Sequence, residues 1–215
     1  MITSYNEMPI GIYLRLAALI DADERQDLAI VALMSGKTED ELLSLPLAEY
    51  YPLRDGCAFL FYEPKPSPVR RSYTCGDFTL RAPKDFRYLS VAQYQDFLEF
   101  NKADDIVGML SCALVPEGCE YGELAQYDPL EVQAAIRDHL PVTDALALRD
   151  FFADACRKSI AATLRSSARK TRGRIPKATR TEMKAVADSL RDGDFSPGWP
   201  KSPLAVYALG MKYTD

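Results

Sequence analysis

The chain has 215 residues, a mass of 24.0 kDa and a formal net charge of −5 at pH 7. A chain of this length buries roughly 70% of its unfolded surface, enough for one core and a small appendage. Hydrophobic residues make up 47% and charged residues 27%, which argues against wholesale disorder. No apolar run approaches the roughly 20 residues that span a bilayer, and the opening residues MITSYNEMPIG lack a signal-peptide pattern. We therefore expect a cytoplasmic protein with no membrane partner.

Three regions divide the charge unequally. Residues 1–156 contain 13 Lys and Arg against 26 Asp and Glu, whereas residues 157–180 contain 9 against none. Residues 181–215 contain 4 against 5 and are close to neutral. The sequence therefore predicts an acidic body that carries one basic arm.

The first predicted elements are helices. Pro9 suits the first turn of a helix, and Gly36 is placed to end a second helix in the left-handed conformation. Thr38 and Glu41 match a capping box, in which each side chain satisfies a backbone N–H at the start of a third helix. A further apolar segment follows Pro46.

Residues 63–68, EPKPSP, cannot continue a helix because three prolines remove backbone donors and fix φ. Beyond them, alternation around Gly76 and Asp77 predicts a β-hairpin, with the segment around Phe86 and Tyr88 as a possible extension. The candidate inward-facing residues of this hairpin are Tyr73, Cys75, Phe78 and Leu80.

Three more elements follow the hairpin. Ser90 and Gln93 form a second capping box, and the stretch IVGMLSCALVP is typical of a buried helix that turns into a short strand. Asp128 and Pro129 suit the start of another helix, and Thr143 opens what looks like the longest one. The fold class is predicted as α+β, mostly α-helical with a small β-hairpin or sheet and a basic, partly flexible C-terminal arm.

Three parts of the chain follow from these boundaries. Residues 1–62 form an N-terminal helical part, and residues 69–165 a part with the hairpin and helices that we expect to pack with the first as one domain. Residues 166–215 form the basic linker and C-terminal tail.

Catalytic and metal-binding patterns are weak. The five cysteines are scattered without a CxxC spacing, and we interpret them as reduced, buried small hydrophobes: Cys57, Cys75, Cys112, Cys119 and Cys156. His139, the only histidine, lies before Pro141, where it is expected to cap a helix. Acidic pairs such as Asp104 and Asp105 fall at predicted helix starts, and no nucleophile, zinc or nucleotide motif is present. We predict no enzyme activity, no catalytic residue, no metal and no cofactor.

The basic arm is the first candidate contact surface. Clustered cations release counterions when they bind phosphates, so this arm is a candidate site for nucleic acid or another anionic partner. The arm lacks aromatic residues for base stacking and the acidic body would repel a duplex, which favours an arm lying on an acidic protein surface. The candidate contact residues are Arg165, Arg169, Lys170, Arg172, Arg174, Lys177 and Arg180.

Aromatic residues supply the second candidate surface. The chain has 12 tyrosines, so we expect some of them to be exposed, as in modules that bind proteins. The candidate apolar residues for a partner are Tyr50, Tyr51, Tyr94, Phe97 and Trp199.

The order of several segments carries a resemblance over about residues 8–165. The segments are GKTEDELLSLPLAEYYPL, YTCGDFTLR, SVAQYQDFLEF, MLSCALVPEGCEYGE and YDPLEVQAAIRDHLPVTDALALRDFF. In this order the chain resembles tail assembly chaperones of tailed bacteriophages and prophages and, more distantly, small baseplate-hub assembly subunits.

The resemblance implies a protein-binding function without catalysis. The partner would be a phage structural protein, either the tape measure protein or a tail or baseplate subunit, bound in the host cytoplasm during virion assembly. The alternative is a virion structural component whose basic arm contacts DNA or an acidic neighbouring protein. An oligomer is compatible with both.

Overall fold

The computed structural model describes residues 1–21, 26–84, 88–122, 126–152, 154–155 and 181. Helices dominate this part of the chain and a small antiparallel sheet accompanies them, which confirms the predicted α+β class. The first helices and a 3-10 turn are α1 Ile10–Asp21, α2 Gln26–Ser35, α3 Glu39–Leu43, α4 Leu47–Asp55 and η1 Ala58–Phe61. The later elements are β1 Ser72–Cys75, β2 Phe78–Arg81, α5 Val91–Lys102, α6 Ile106–Ala113, β3 Val115–Pro116 and α7 Pro129–His139. Residues 142–152 are helical as well.

Local sequence signals set the ends of several helices. The backbone of Gly36 has a φ of 71° directly after α2, as a left-handed helix stop requires. Thr38 and Glu41 form the predicted capping box at α3, and Ser90 and Gln93 form the one at α5. Asp128 caps α7 by accepting a hydrogen bond from the Leu130 N–H at 2.8 Å. Each of these predictions is confirmed.

The sheet has the order β1-β2-β3, with both pairs antiparallel. Cys75 pairs with Phe78, so Gly76 and Asp77 form a two-residue loop. Gly76 has a φ of 56° and Asp77 a negative φ, which is the pattern of a type II′ turn. Tyr73, Cys75 and Leu80 are buried as predicted, whereas Phe78 is only half-buried.

The third strand is the short strand predicted at the end of the IVGMLSCALVP stretch, which is confirmed, but its place beside β2 differs from the possible extension around Phe86 and Tyr88. Leu80 pairs with Pro116, and Arg81 pairs with Val115, so β3 extends the hairpin. Tyr88 lies outside any strand and is 71% exposed, and Phe86 lies outside the described residues. The possible extension through Tyr88 was therefore wrong, because the edge of β2 that faces away from β1 is paired with β3, whose Val115 is buried.

One hydrophobic core contains residues from both sides of the proline-rich segment. Leu16 and Val31 of the first helices belong to the same buried cluster as Leu80, Ile136 and Leu148. Helix α7 packs against α1, α6 and β1, and α5 packs against α6. The chain also ties its start to the segment after α7, because the Ile10 N–H donates to the Leu140 carbonyl at 2.8 Å.

Candidate functional site

Helix α4 lies on the surface and contains no buried residue. Tyr50 and Leu53 attach it to the core as half-buried side chains, and burial raises the pKa of Tyr50. On the adjoining solvent-facing side, Leu47 is 65% exposed and Tyr51 is 43% exposed. These two residues are four positions apart, so their side chains neighbour each other on one helix face.

A charged group completes this face. The guanidinium carbon of Arg54 lies 4.9 Å from the centre of the Tyr51 ring, in a cation–π contact, and the side chain also pairs with Asp55 at 3.0 Å. Leu47, Tyr51 and Arg54 are spaced four and three residues apart, and together they define what we call the α4 face. Tyrosine and arginine are among the residue types enriched at protein interfaces, and the exposed Leu47 adds apolar surface beside them.

Other exposed apolar residues flank α4 along the chain. Leu43 at the end of α3 is 70% exposed, Phe61 at the end of η1 is 50% exposed and Tyr62 is 74% exposed. Large apolar side chains are thus presented to solvent repeatedly between residues 43 and 62, while Leu42 and Leu60 hold the same stretch to the core.

The predicted aromatic residues have different positions in the fold. Tyr50 and Tyr51 lie together on α4 with ring centres 6.3 Å apart, and Tyr94 lies on α5 with 37% exposure. Phe97 is only 7% exposed and its ring lies 6.0 Å from that of Phe152, so it belongs to the core and not to a partner surface. That member of the predicted surface was wrong because α5 packs this side against the body. Trp199 lies outside the described residues.

The candidate contact residues of the basic arm also lie outside the described residues: Arg165, Arg169, Lys170, Arg172, Arg174, Lys177 and Arg180. Their contact with an anionic partner or nucleic acid stays a prediction.

The described cysteines are free, and three of them are buried: Cys57, Cys75 and Cys112. Burial raises the pKa of each of these three thiols to about 11, so they are protonated at neutral pH. A nucleophilic cysteine needs the opposite shift, because the thiolate is the reactive form. Cys119 is free and half-buried, whereas Cys156 lies outside the described residues.

A polar cluster joins Tyr121, Asp96 and Cys112. The Tyr121 hydroxyl donates to the Asp96 carboxylate at 2.7 Å, and the Cys112 sulfur lies 3.4 Å from the same hydroxyl. Desolvation and these neighbours raise the pKa of Tyr121, which keeps its proton in place. The cluster links the loop after β3 to α5 and α6, and no local sequence pattern indicates it because its members come from three separate elements.

Two cavities lie on either side of Tyr121. The smaller one, of about 320 Å³, has Asp96 and Glu99 in its wall. The larger one, of about 610 Å³, opens at the end of the sheet and is lined by Arg71, Arg81 and Lys84. Sequence reasoning did not single out these three cations, because each resembles an ordinary solvated charge near the hairpin.

Among the residues that the structure describes, no group of three or more His, Cys, Asp or Glu side chains is arranged to hold a metal ion. None of the described helices is both long enough and apolar enough to cross a membrane. Comparison of the chain with protein families, curated protein sequences and solved structures gives no match.

Proposed function

We propose that this protein is a non-enzymatic assembly factor that binds a phage structural protein, a tape measure protein in the first instance, during tail assembly in the host cytoplasm. The order of segments over residues 8–165 supports the phage context through the resemblance described above. The observation that carries the protein-binding function is the α4 face, which exposes Leu47 and Tyr51 on a helix without buried residues.

Leu47 and Tyr51 can bury more apolar surface when a partner covers them. Moving an exposed leucine or aromatic side chain fully out of water contributes roughly 1.5–3 kcal/mol. A partner helix that covers Leu47 and Tyr51 gains only part of this stabilisation from each, because the two residues are 65% and 43% exposed in the free chain. Arg54, stacked on Tyr51, adds a charged edge that favours one orientation of the partner. A long helical protein offers many such apolar stripes, which a chaperone can cover until polymerisation begins.

The test uses the tagged full chain, co-expressed with the tape measure protein encoded in the same tail gene cluster. We expect the two proteins to co-purify, and the double variant Leu47→Ser, Tyr51→Ser to retain less of the partner. The matched control is Leu130→Ser, because Leu130 is 70% exposed on α7 and lies outside the α4 face. Equal loss in the variant and the control would overturn the role of the α4 face.

The alternative, a structural component of the virion, makes a different prediction for the finished particle. An assembly factor leaves before the particle is complete, so mass spectrometry of purified virions should detect none of the chain in stoichiometric amount. Recovery of the chain in fixed ratio to tail or capsid proteins would replace the proposal with the structural alternative.

A further inference from the structure

The larger cavity is a cleft between the end of the sheet and the start of α5. Its wall includes Arg81 at the end of β2, Val115 of β3, and Ser90 at the N-terminus of α5. The backbone carbonyl of Arg71 accepts a hydrogen bond from the Ala82 N–H at 2.9 Å, so Arg71 is held beside the last residues of β2. A volume of about 610 Å³ is within the range of ligand pockets.

The charge of this cleft is opposite to that of the surrounding body. Among the described residues, Arg71, Arg81 and Lys84 line it, against one carboxylate from Glu120. Within the described part of the chain, no carboxylate lies within 4.0 Å of these three cations, whereas Arg54, Arg70 and Arg149 each pair with an aspartate.

Three neighbouring cations without a described carboxylate partner are unexpected on this body. Residues 1–156 contain 26 acidic residues against 13 basic ones, so a cation readily meets a carboxylate on this surface. Three cations that converge on one cavity without such partners repel one another, and the positive end of α5 adds to the potential. A bound anionic group removes this repulsion, which is the arrangement that a site for carboxylates or phosphates requires.

The other walls select among anionic ligands. Tyr88, 71% exposed, and Leu89, half-buried, contribute an aromatic and an aliphatic surface. Apolar side chains beside cations suit a peptide that alternates acidic and apolar residues. A nucleic acid strand is disfavoured because its remaining phosphates would lie against the acidic body.

We propose that this cleft binds a short acidic segment of the partner protein, with Arg71, Arg81 and Lys84 as the carboxylate contacts. The inference rests on the proposed function for the identity of the partner. The acidic chemistry of the ligand itself follows from the three cations, which have no carboxylate partner in the described part of the chain. The α4 face would then supply the apolar contact and the cleft the charged one, at two places on the same body.

The test measures binding of a fluorescein-labelled hexaglutamate peptide to the full chain at about 0.15 M salt. The triple variant Arg71→Gln, Arg81→Gln, Lys84→Gln is expected to bind it about tenfold more weakly. The matched control, Lys37→Gln, Lys65→Gln, Lys102→Gln, removes the same charge from exposed positions outside the cleft and should bind within about twofold of the parent chain. This comparison also subtracts binding by the basic arm, which both variants retain.

A competing oligothymidylate of about 12 nucleotides tests the nucleic acid alternative. Hexaglutamate binding that depends on the cleft and resists this competitor supports the proposal. An equal effect of the two triple variants, or a cleft that prefers the oligonucleotide, overturns it. If the partner still co-purifies but hexaglutamate affinity does not depend on the cleft residues, the cleft proposal is wrong and the proposed function is unaffected. If hexaglutamate binds in the cleft but the tape measure protein is not captured, the proposed function fails and the acidic site stands.

Discussion

The guanidinium of Arg70 donates a hydrogen bond to the carboxylate of Asp144, although the two residues are 74 positions apart. The side chain of Asp144 is 5% exposed, whereas that of Arg70 is 60% exposed. The guanidinium carbon of Arg70 also lies 5.1 Å from the centre of the Tyr73 ring, and the backbone N–H of Arg70 donates to the Tyr73 hydroxyl at 2.9 Å. The contact therefore fastens the end of the proline-rich segment to the helix at residues 142–152.

Loss of this ion pair should destabilise the fold. In the variant Arg70→Met the buried Asp144 carboxylate loses its cation, and we expect the free energy of unfolding to fall by about 1–3 kcal/mol. Urea denaturation followed by circular dichroism measures the change. Arg71→Met is the control, because Arg71 has no carboxylate partner in the described part of the chain, and its effect should stay within about 0.5 kcal/mol. A similar loss in both variants would show that the ion pair contributes little.

Two left-handed glycines differ in what surrounds them. Gly36 has a φ of 71° with nothing within 4 Å of an added Cβ, whereas a Cβ on Gly76 would lie 3.1 Å from Cδ2 of His139. Gly36→Ala should cost about 1–2 kcal/mol through the backbone alone, and Gly76→Ala should cost more because the imidazole must also move. Thermal unfolding measures both variants. Adding His139→Ala to Gly76→Ala should remove the excess cost, and an excess that persists would contradict this steric explanation.

The capping box at α3 makes a prediction about acid titration. Hydrogen bonds from the Thr38 backbone N–H at 2.7 Å and hydroxyl at 3.1 Å lower the pKa of Glu41 below its ordinary value. The contribution of the ionised carboxylate to the fold is complete above that ordinary value, and it is lost as the pH falls through the lowered pKa. NMR titration of the Glu41 side chain should show the lowered value directly.

Thr38→Ala separates the two donors. This variant removes the hydroxyl but keeps the backbone N–H, so the pKa of Glu41 should return only part of the way. Full return to the ordinary value would mean that the backbone hydrogen bond also depends on the threonine side chain.

The rate of alkylation should differ between the buried and the half-buried cysteines in the described part of the chain. Cys57, Cys75 and Cys112 are buried with pKa values of about 11, so iodoacetamide at neutral pH should modify them slowly in the folded protein. Cys119 is half-buried and should react first among these four. Peptide mass spectrometry after brief labelling measures the order, and labelling in urea is the control. Rapid native modification of Cys75 would contradict the core position assigned to it.

Neighbouring residues determined much of the secondary structure. Gly36, the Thr38 and Glu41 pair and the Asp128 cap were all correctly predicted, because a helix end depends on hydrogen bonds within about one turn. The Gly76 turn was predicted for the same reason, since two residues set the direction of a hairpin. The helix predicted to begin at Thr143 is present over residues 142–152. Most of its predicted continuation, from residue 156 onward, lies outside the described residues.

The candidate sites depended on contacts between distant segments. Gln93 illustrates the difference. The spacing of Ser90 and Gln93 predicted its role in the capping box. Its Nε2 group also donates to the Cys112 carbonyl at 2.9 Å, which no local pattern indicates. The same holds for Phe97, which was predicted to lie on the partner surface but is buried in the core.

The sequence by itself determined the helix ends, the hairpin and the acidic body with its basic segment, since these follow from short-range hydrogen bonding and from composition. Only the tertiary structure decided that the short strand at Val115 and Pro116 pairs with β2 and that Arg71, Arg81 and Lys84 share a cleft. The physical reason is that burial and charge pairing depend on which segments meet in space. In the described part of the chain, segments from Tyr5 to Phe152 meet because they bury their apolar side chains in one hydrophobic core.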